Sequence, residues 1–210
     1  MVDKIFDTLF ERYPSLKVIR DELYTAYELM CDCYDAYGKI LICGNGGSSA
    51  DADHIVGELM KGFNLKRPLS DDDIEFFDGI EGGTDIAKKL QGGLPAISLS
   101  AHSALMTAFC NDVDPDLVFA QQVWAYSKNS PDLLIALSTS GNSTNVVNAV
   151  KTANAVGIDS IGITGKNGGK LLDCCTLCIR LPETDVYKVQ ELTLPVYHAL
   201  CAAIETRFFK

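Results

Sequence analysis

A chain of 210 residues can bury one sizeable core, and 47% hydrophobic with 22% charged residues is an ordinary globular composition without low-complexity tracts. Twenty-eight acidic against 18 basic residues give a formal charge of −10, which excludes generic electrostatic binding to nucleic acid or anionic membranes. A phosphate ligand would have to be held by local donors. No run approaches about 18 apolar residues and the N-terminal MVDKIFDTLFERY is mixed in charge, so neither membrane span nor leader is expected, and the default address is cytoplasmic.

From Val2 to about Arg12, and from Ser15 to Ala36, apolar residues recur at three and four, which predicts two helices parted by Pro14. These N-terminal helices, within residues 1–37, should cover a sheet or make a subunit contact. Lys39 to Glu58, KILICGNGGSSADADHIVGE, then reads as an apolar strand (Ile40 to Cys43), a turn (Gly44, Asn45, Gly46, Gly47) and a helix from Ser48. Such a turn aims the free N–H groups of the helix start at whatever lies above the strand's carboxyl end, which suits an anion. His54 and Glu58 follow four residues apart, on one helix face.

Residues 63–93, with SDDDIEFFDGIEGG at their centre, are acidic and weakly periodic, with one short helix expected at Asp85 to Leu90. They read either as an inserted flap or as a solvated surface loop. Regularity then returns: strand Leu94 to Leu99, helices Ser103 to Asn111 and Leu117 to Tyr126, strand Leu133 to Leu137, polar turn Ser138 to Ser143 and helix Thr144 to Val156. Strand Ile158 to Thr164, glycine turn Gly165 to Gly169, a strand near Leu177 to Leu181 and a terminal helix from about Val186 to Arg207 complete the chain. Continuous apolar strands alternating with helices predict a single α/β domain over 1–210, its parallel sheet covered on both faces. LLIALSTSGNSTNVVNAVKTA echoes the Lys39 unit, so two turns should share one carboxyl edge and grip one ligand.

Ser138-Thr139-Ser140-Gly141-Asn142-Ser143 offers hydroxyls at four positions, a glycine that admits close backbone approach and a helix N-terminus, together a neutral cradle for a phosphate monoester. An ordinary N-cap cluster would use the same residue types, although one cap needs only one of them. Neither a G-x-x-x-x-G-K-[ST] loop nor a dinucleotide fingerprint is present, which leaves a phosphorylated metabolite as the economical ligand. Eight cysteines lack a second pair at zinc-finger spacing and read as free thiols, with Cys43, Cys110 and Cys201 in apolar surroundings. The chain has three histidines, His54, His102 and His198. His54 with Glu58 can hold a divalent metal or run proton transfers. On the terminal helix Gln190, Glu191 and His198 interrupt an apolar stripe, and Pro195 is a potential kink.

At this point four motifs in register, GNGGSSADADHIVGEL, LSTSGNSTNVVNAV, GITGKNGG and VQELTLPVYH, closely resemble the bacterial phosphoheptose isomerases of the sugar isomerase (SIS) superfamily. The resemblance implies a flavodoxin-like three-layer sandwich, a homotetramer with sites between subunits, and conversion of sedoheptulose 7-phosphate to a manno-heptose 7-phosphate. It also implies that Ser138, Thr139, Ser140 and Ser143 bind phosphate, and that Asn45, Gly46, Gly47 and Ser48, with Gln190, shape the sugar pocket. By the same resemblance His54, Glu58, Gln190 and His198 would form a zinc site, with Glu58 the base and His198 the acid. Eight residues of straight helix separate Gln190 from His198 by about 12 Å, so at any one ion either the helix distorts at Pro195 or the two come from different subunits, and the second is expected. The chain departs from the pattern at His102, where many members carry an acid nine positions before the Asn-Asp pair, and at Ala104, a usual serine. A non-catalytic regulator on the same fold, or an isomerase or lyase for another phosphosugar, are the other classes weighed; retention of Glu58 and His198 favours an isomerase.

Overall fold

The structure, a computed structural model, describes residues 1–209. Five parallel strands, β1 (Ile40–Gly44), β2 (Ala96–Ser98), β3 (Leu133–Leu137), β4 (Asp159–Thr164) and β5 (Leu177–Arg180), form one sheet in the order β2-β1-β3-β4-β5. This is the flavodoxin-like order, and it reverses between β1 and β3, where a crevice opens at the carboxyl edge. The central strands β1 and β3 are apolar throughout because both faces are covered. Ile40, Ile42, Leu133, Ile135 and Leu137 point to one core cluster; Leu41, Cys43, Leu134 and Ala136 point to the other.

The first face carries α1 (Val2–Arg12), α2 (Arg20–Asp35), α3 (Gly47–Met60) and α10 (Val186–Phe208). The second carries α7 (Val118–Ser127) and α8 (Thr144–Val156), with side chains of α6 (Ser103–Asp112) and α9 (Leu171–Cys174) packed beside them. The three-layer α/β architecture is the one expected. At the opposite edge of the sheet, buried Asp132 accepts hydrogen bonds from Lys39 Nζ at 2.6 Å, Ser127 at 2.9 Å and Ser130 at 2.7 Å, tying the starts of β1 and β3 together.

Several local expectations are corrected. The helix predicted from Ser15 is a 3-10 turn over Pro14–Ile19, and the α-helix starts at Arg20. Leu16 and Ile19, three apart, both bury their side chains in that tighter winding. The acidic excursion is ordered helical turns, α4 (Asp71–Glu75) and α5 (Gly83–Ala87), the latter beginning two residues before the predicted Asp85 because Gly82 turns left-handed at φ +72°. Ser70 caps α4 by accepting from Asp73 N–H. The base of the excursion is pinned by the Pro68–Gln91 bridge and by Gly92 N–H donating to the Arg67 carbonyl at 2.7 Å, while Phe76 and Ile80 at its tip are exposed. Cys110 is exposed rather than apolar-packed, and Cys174 ends a helical turn ahead of the final strand. Pro195 sits inside α10 without ending it.

Candidate active site

At the reversal point the two turns meet. Asn45, after β1, and Asn145, in the first turn of α8, form a reciprocal amide pair, with Nδ2 to Oδ1 distances of 2.8 and 3.0 Å. Asn145 Oδ1 also accepts from Val146 N–H, so the pair fixes the start of α8 against the β1 turn. Gly46 takes φ +56° to aim the first turn, and buried Ser48 opens α3 behind it.

The hydroxyl turn does not spend its side chains on capping α8. Ser143 is the N-cap residue of α8, yet its side chain makes no capping bond; its Oγ faces Ser138 Oγ at 3.1 Å. Ser140 Oγ accepts from Asn142 N–H, which shapes the loop. That arrangement favours an anion cradle over a simple cap cluster, since the hydroxyls of Ser138 and Ser143 are paired with each other rather than spent on the helix. Gly165 to Gly169 buttress the cradle from outside. Gly165 N–H donates to Thr139 O at 2.9 Å, Leu171 N–H to Gly141 O at 3.1 Å and Lys170 N–H to Asn142 Oδ1 at 3.1 Å. Gly141 is left-handed at φ +67°, and a Cβ there would collide with the Gly168 carbonyl.

The reactive groups gather between α3 and α10. His54 Nε2 lies 3.0 Å from Glu58 Oε1 and 3.4 Å from His198 Nε2. One ligand atom from each of the three residues falls within 4.8 Å of the others. Glu58 is buried, and its second oxygen, Oε2, stands 3.4 Å from Lys61 Nζ. Burial, reinforced by the neighbouring His54, holds the His198 imidazole below its ordinary range, while Glu58 pulls the other way. That shift favours the neutral imidazole, the form that offers a lone pair. Two imidazole nitrogens and a carboxylate oxygen this close together are a donor set that fits a divalent cation of the zinc type. His198 also borders a cavity of about 540 Å³ between α1 and α10, with Lys4, Arg12 and Phe63 on its wall.

Of the four residues expected at the metal, three therefore assemble in one chain. Gln190 does not join them: its amide packs on the β1 turn, where a Cβ at Gly47 would stand 2.5 Å from Nε2. His102 lies elsewhere, at the start of α6, with its Nε2 3.1 Å from the Tyr126 hydroxyl. Sequence reasoning missed Asn145, although it follows the recognised turn directly. It also missed Arg67 and Glu205, a fully buried ion pair at 2.8 Å, and the Tyr197–Asp51 contacts to His54.

The doubly wound sheet and paired turns define a SIS-type α/β protein, and the family model described as "SIS domain" matches residues 14–92 and 81–165. The chain is 38% identical over 170 residues to the phosphoheptose isomerase of Rhodospirillum rubrum, covering 81% of this chain and 77% of that one. It is 34% identical to the Nitratiruptor enzyme of the same name, over 99% of this chain and 100% of the other. The solved phosphoheptose isomerase of Neisseria gonorrhoeae superposes with a TM-score of 0.74 at 31% identity, covering 98% and 97% of the two chains. With relatives this similar over nearly its whole length, the chain belongs to the phosphoheptose isomerase family of SIS-domain proteins.

Proposed function

We propose that the chain is a ketose–aldose isomerase that converts sedoheptulose 7-phosphate to D-glycero-D-manno-heptose 7-phosphate through an enediolate. The observation that carries this reading is the His54–Glu58–His198 cluster on and against the helix that follows the β1 turn, a turn that the Asn45–Asn145 pair ties to the helix after the hydroxyl turn, in a chain whose relatives bear the name phosphoheptose isomerase. Ser138, Thr139, Ser140 and Ser143 hold the phosphate without a cation of their own, which suits a chain of net charge −10. Asn45, Gly46, Gly47 and Ser48, with Gln190 packed on that turn, form the wall towards the sugar.

Moving the carbonyl from C2 to C1 needs a proton taken from C1 and delivered to C2, and a second proton passed between the two oxygens. Glu58 takes and returns the carbon proton; His198, half-buried and favoured in its neutral form, exchanges the proton between O1 and O2. His54, Glu58 and His198 would hold zinc, which when bound supplies positive charge against the developing enediolate oxygens. A homotetramer with sites between subunits and a cytoplasmic address are part of the same reading; no helix among the described residues is long and apolar enough to cross a membrane.

The test is incubation with a panel of ketose phosphates in deuterated water. Deuterium should enter beside the carbonyl of sedoheptulose 7-phosphate, and Glu58→Gln should slow that exchange about 10²- to 10⁴-fold. Absence of exchange with every phosphosugar, in a protein that phosphosugars still stabilise, would turn the reading to a non-catalytic regulator.

A further inference from the structure

The reactive cluster has a supporting chain behind it that its three ligand-type residues do not explain. Tyr197 is 2% exposed on α10, next to His198, and its hydroxyl reaches two partners on α3. Asp51 Oδ1 lies at 3.2 Å and His54 Nδ1 at 2.9 Å. The Tyr197 and His54 rings meet edge to face at 5.5 Å, so the phenol is held by packing as well as by its hydrogen bonds.

A phenol has one proton, and the direction of each bond follows from counting it. An ordinary phenol keeps that proton at neutral pH. Asp51, ionised, can only accept. When the phenol proton goes to Asp51, the phenol oxygen accepts from His54 Nδ1–H. A cation held on Nε2 needs the same tautomer, in which Nε2 is a lone pair; without a cation the Glu58 carboxylate competes for a proton on Nε2. Nε2 is the atom that faces Glu58 Oε1 at 3.0 Å and His198 Nε2 at 3.4 Å.

We propose that Tyr197 and Asp51 are positioning residues: the chain Asp51–Tyr197–His54 locks His54 in the Nδ1–H tautomer and turns its Nε2 lone pair into the cluster. The inference deepens the reading of that cluster as a cation site, because a ligating histidine needs its other nitrogen to donate to an outer partner. Its two members come from different helices, so the same chain also sets the register of α10 on α3. Without the Asp51 acceptor the phenol would turn its proton to His54 Nδ1, and Nε2 would carry a hydrogen that no cation can replace cheaply.

Three histidines make the ring spectrum tractable. In metal-free protein labelled with ¹⁵N-histidine, two-bond nitrogen–proton correlations distinguish Nδ1–H from Nε2–H, and the signal absent in His54→Gln is that of His54. The wild type should show Nδ1–H; Asp51→Ala, which leaves Tyr197 packed, should shift His54 to Nε2–H. Zinc affinity, read by competition with a chromophoric chelator, should fall about 10- to 100-fold in Tyr197→Phe and in Asp51→Ala. An Nε2–H wild type, or a tautomer unchanged by Asp51→Ala, would overturn the proposal, as would equal zinc affinity in wild type and both folded variants. A locked tautomer in a wild type that binds no zinc would instead uphold the positioning chain and remove the metal reading.

Discussion

Replacing Glu205 by Gln tests how the two site-bearing helices are held together. The Glu205 carboxylate is 0% exposed and accepts four hydrogen bonds. Phe63 N–H and Arg67 Nε donate to Oε1, both at 2.8 Å, and Asn64 N–H at 2.8 Å and Leu65 N–H at 3.1 Å donate to Oε2. Arg67, 2% exposed, gives two further N–H groups to the carbonyls of Leu59 at 2.7 Å and Glu58 at 3.1 Å, and its guanidinium lies 4.4 Å over the Phe209 ring. Glutamine matches the shape but brings an NH₂ group against donors, and it strands a buried guanidinium without its counter-ion. Breaking a buried pair in this way costs about 3–5 kcal/mol, and the orphaned N–H groups place this case at the upper end. For a chain of this size each kcal/mol moves the melting temperature by about 2–4 °C, so a fall of roughly 6–20 °C is expected. Urea unfolding at matched protein concentration is the assay, because assembly would make the midpoint concentration-dependent. A loss below about 1 kcal/mol would refute the ledger of bonds around Glu205.

Two further substitutions probe the sheet's carboxyl and amino edges. Gly141→Ala should cost more than about 1–2 kcal/mol for the left-handed backbone alone, with the Gly168 carbonyl clash added, and should abolish stabilisation by inorganic phosphate in a thermal melt; unaltered phosphate protection would remove Gly141 from the cradle. Asp132 bears on pH: burial would raise its proton affinity, but hydrogen bonds from Lys39, Ser130 and Ser127 outweigh it and hold the carboxyl below its ordinary range. Its unfolded form takes up a proton near pH ~3.9, so the stabilisation is complete above that range and is lost as pH falls through the lower folded value. The gap in urea midpoint between wild type and Asp132→Asn should therefore narrow in acid; a gap independent of pH would contradict the assignment.

Much of the frame was legible because it is written in local periodicity. Ile40 to Cys43 and Leu133 to Leu137 are apolar runs too short for helices and bounded by small polar turns, which marks them as doubly covered strands. His54 and Glu58 were legible as a pair because the helix period alone brings them together. The short helix α4 carried a readable signal that was passed over, Ser70 followed three residues later by Asp73, the pattern of a capping box. Contacts that join distant stretches leave no such trace. Asn45 and Asn145 are 100 residues apart, and Arg67 and Glu205 are 138 apart. A glutamate late in an amphipathic helix reads as solvent-facing until the fold shows four donors converging on it.

These invisible contacts have a common geometry. On α10, His198 and Glu205 are seven residues apart and so fall on one face, about 10 Å along the axis. That face meets α3 twice. At one end Tyr197 and His198 contact Asp51 and His54; at the other Glu205 holds Arg67, whose guanidinium caps the carbonyls of Glu58 and Leu59. The candidate base thus sits on the last turns of a helix whose end is fixed by an ion pair to the very helix that supplies the candidate acid. A slip of α10 by one residue would break both attachments at once, so the spacing between Glu58 and His198 is set by the packing of two helices rather than by the conformation of any loop.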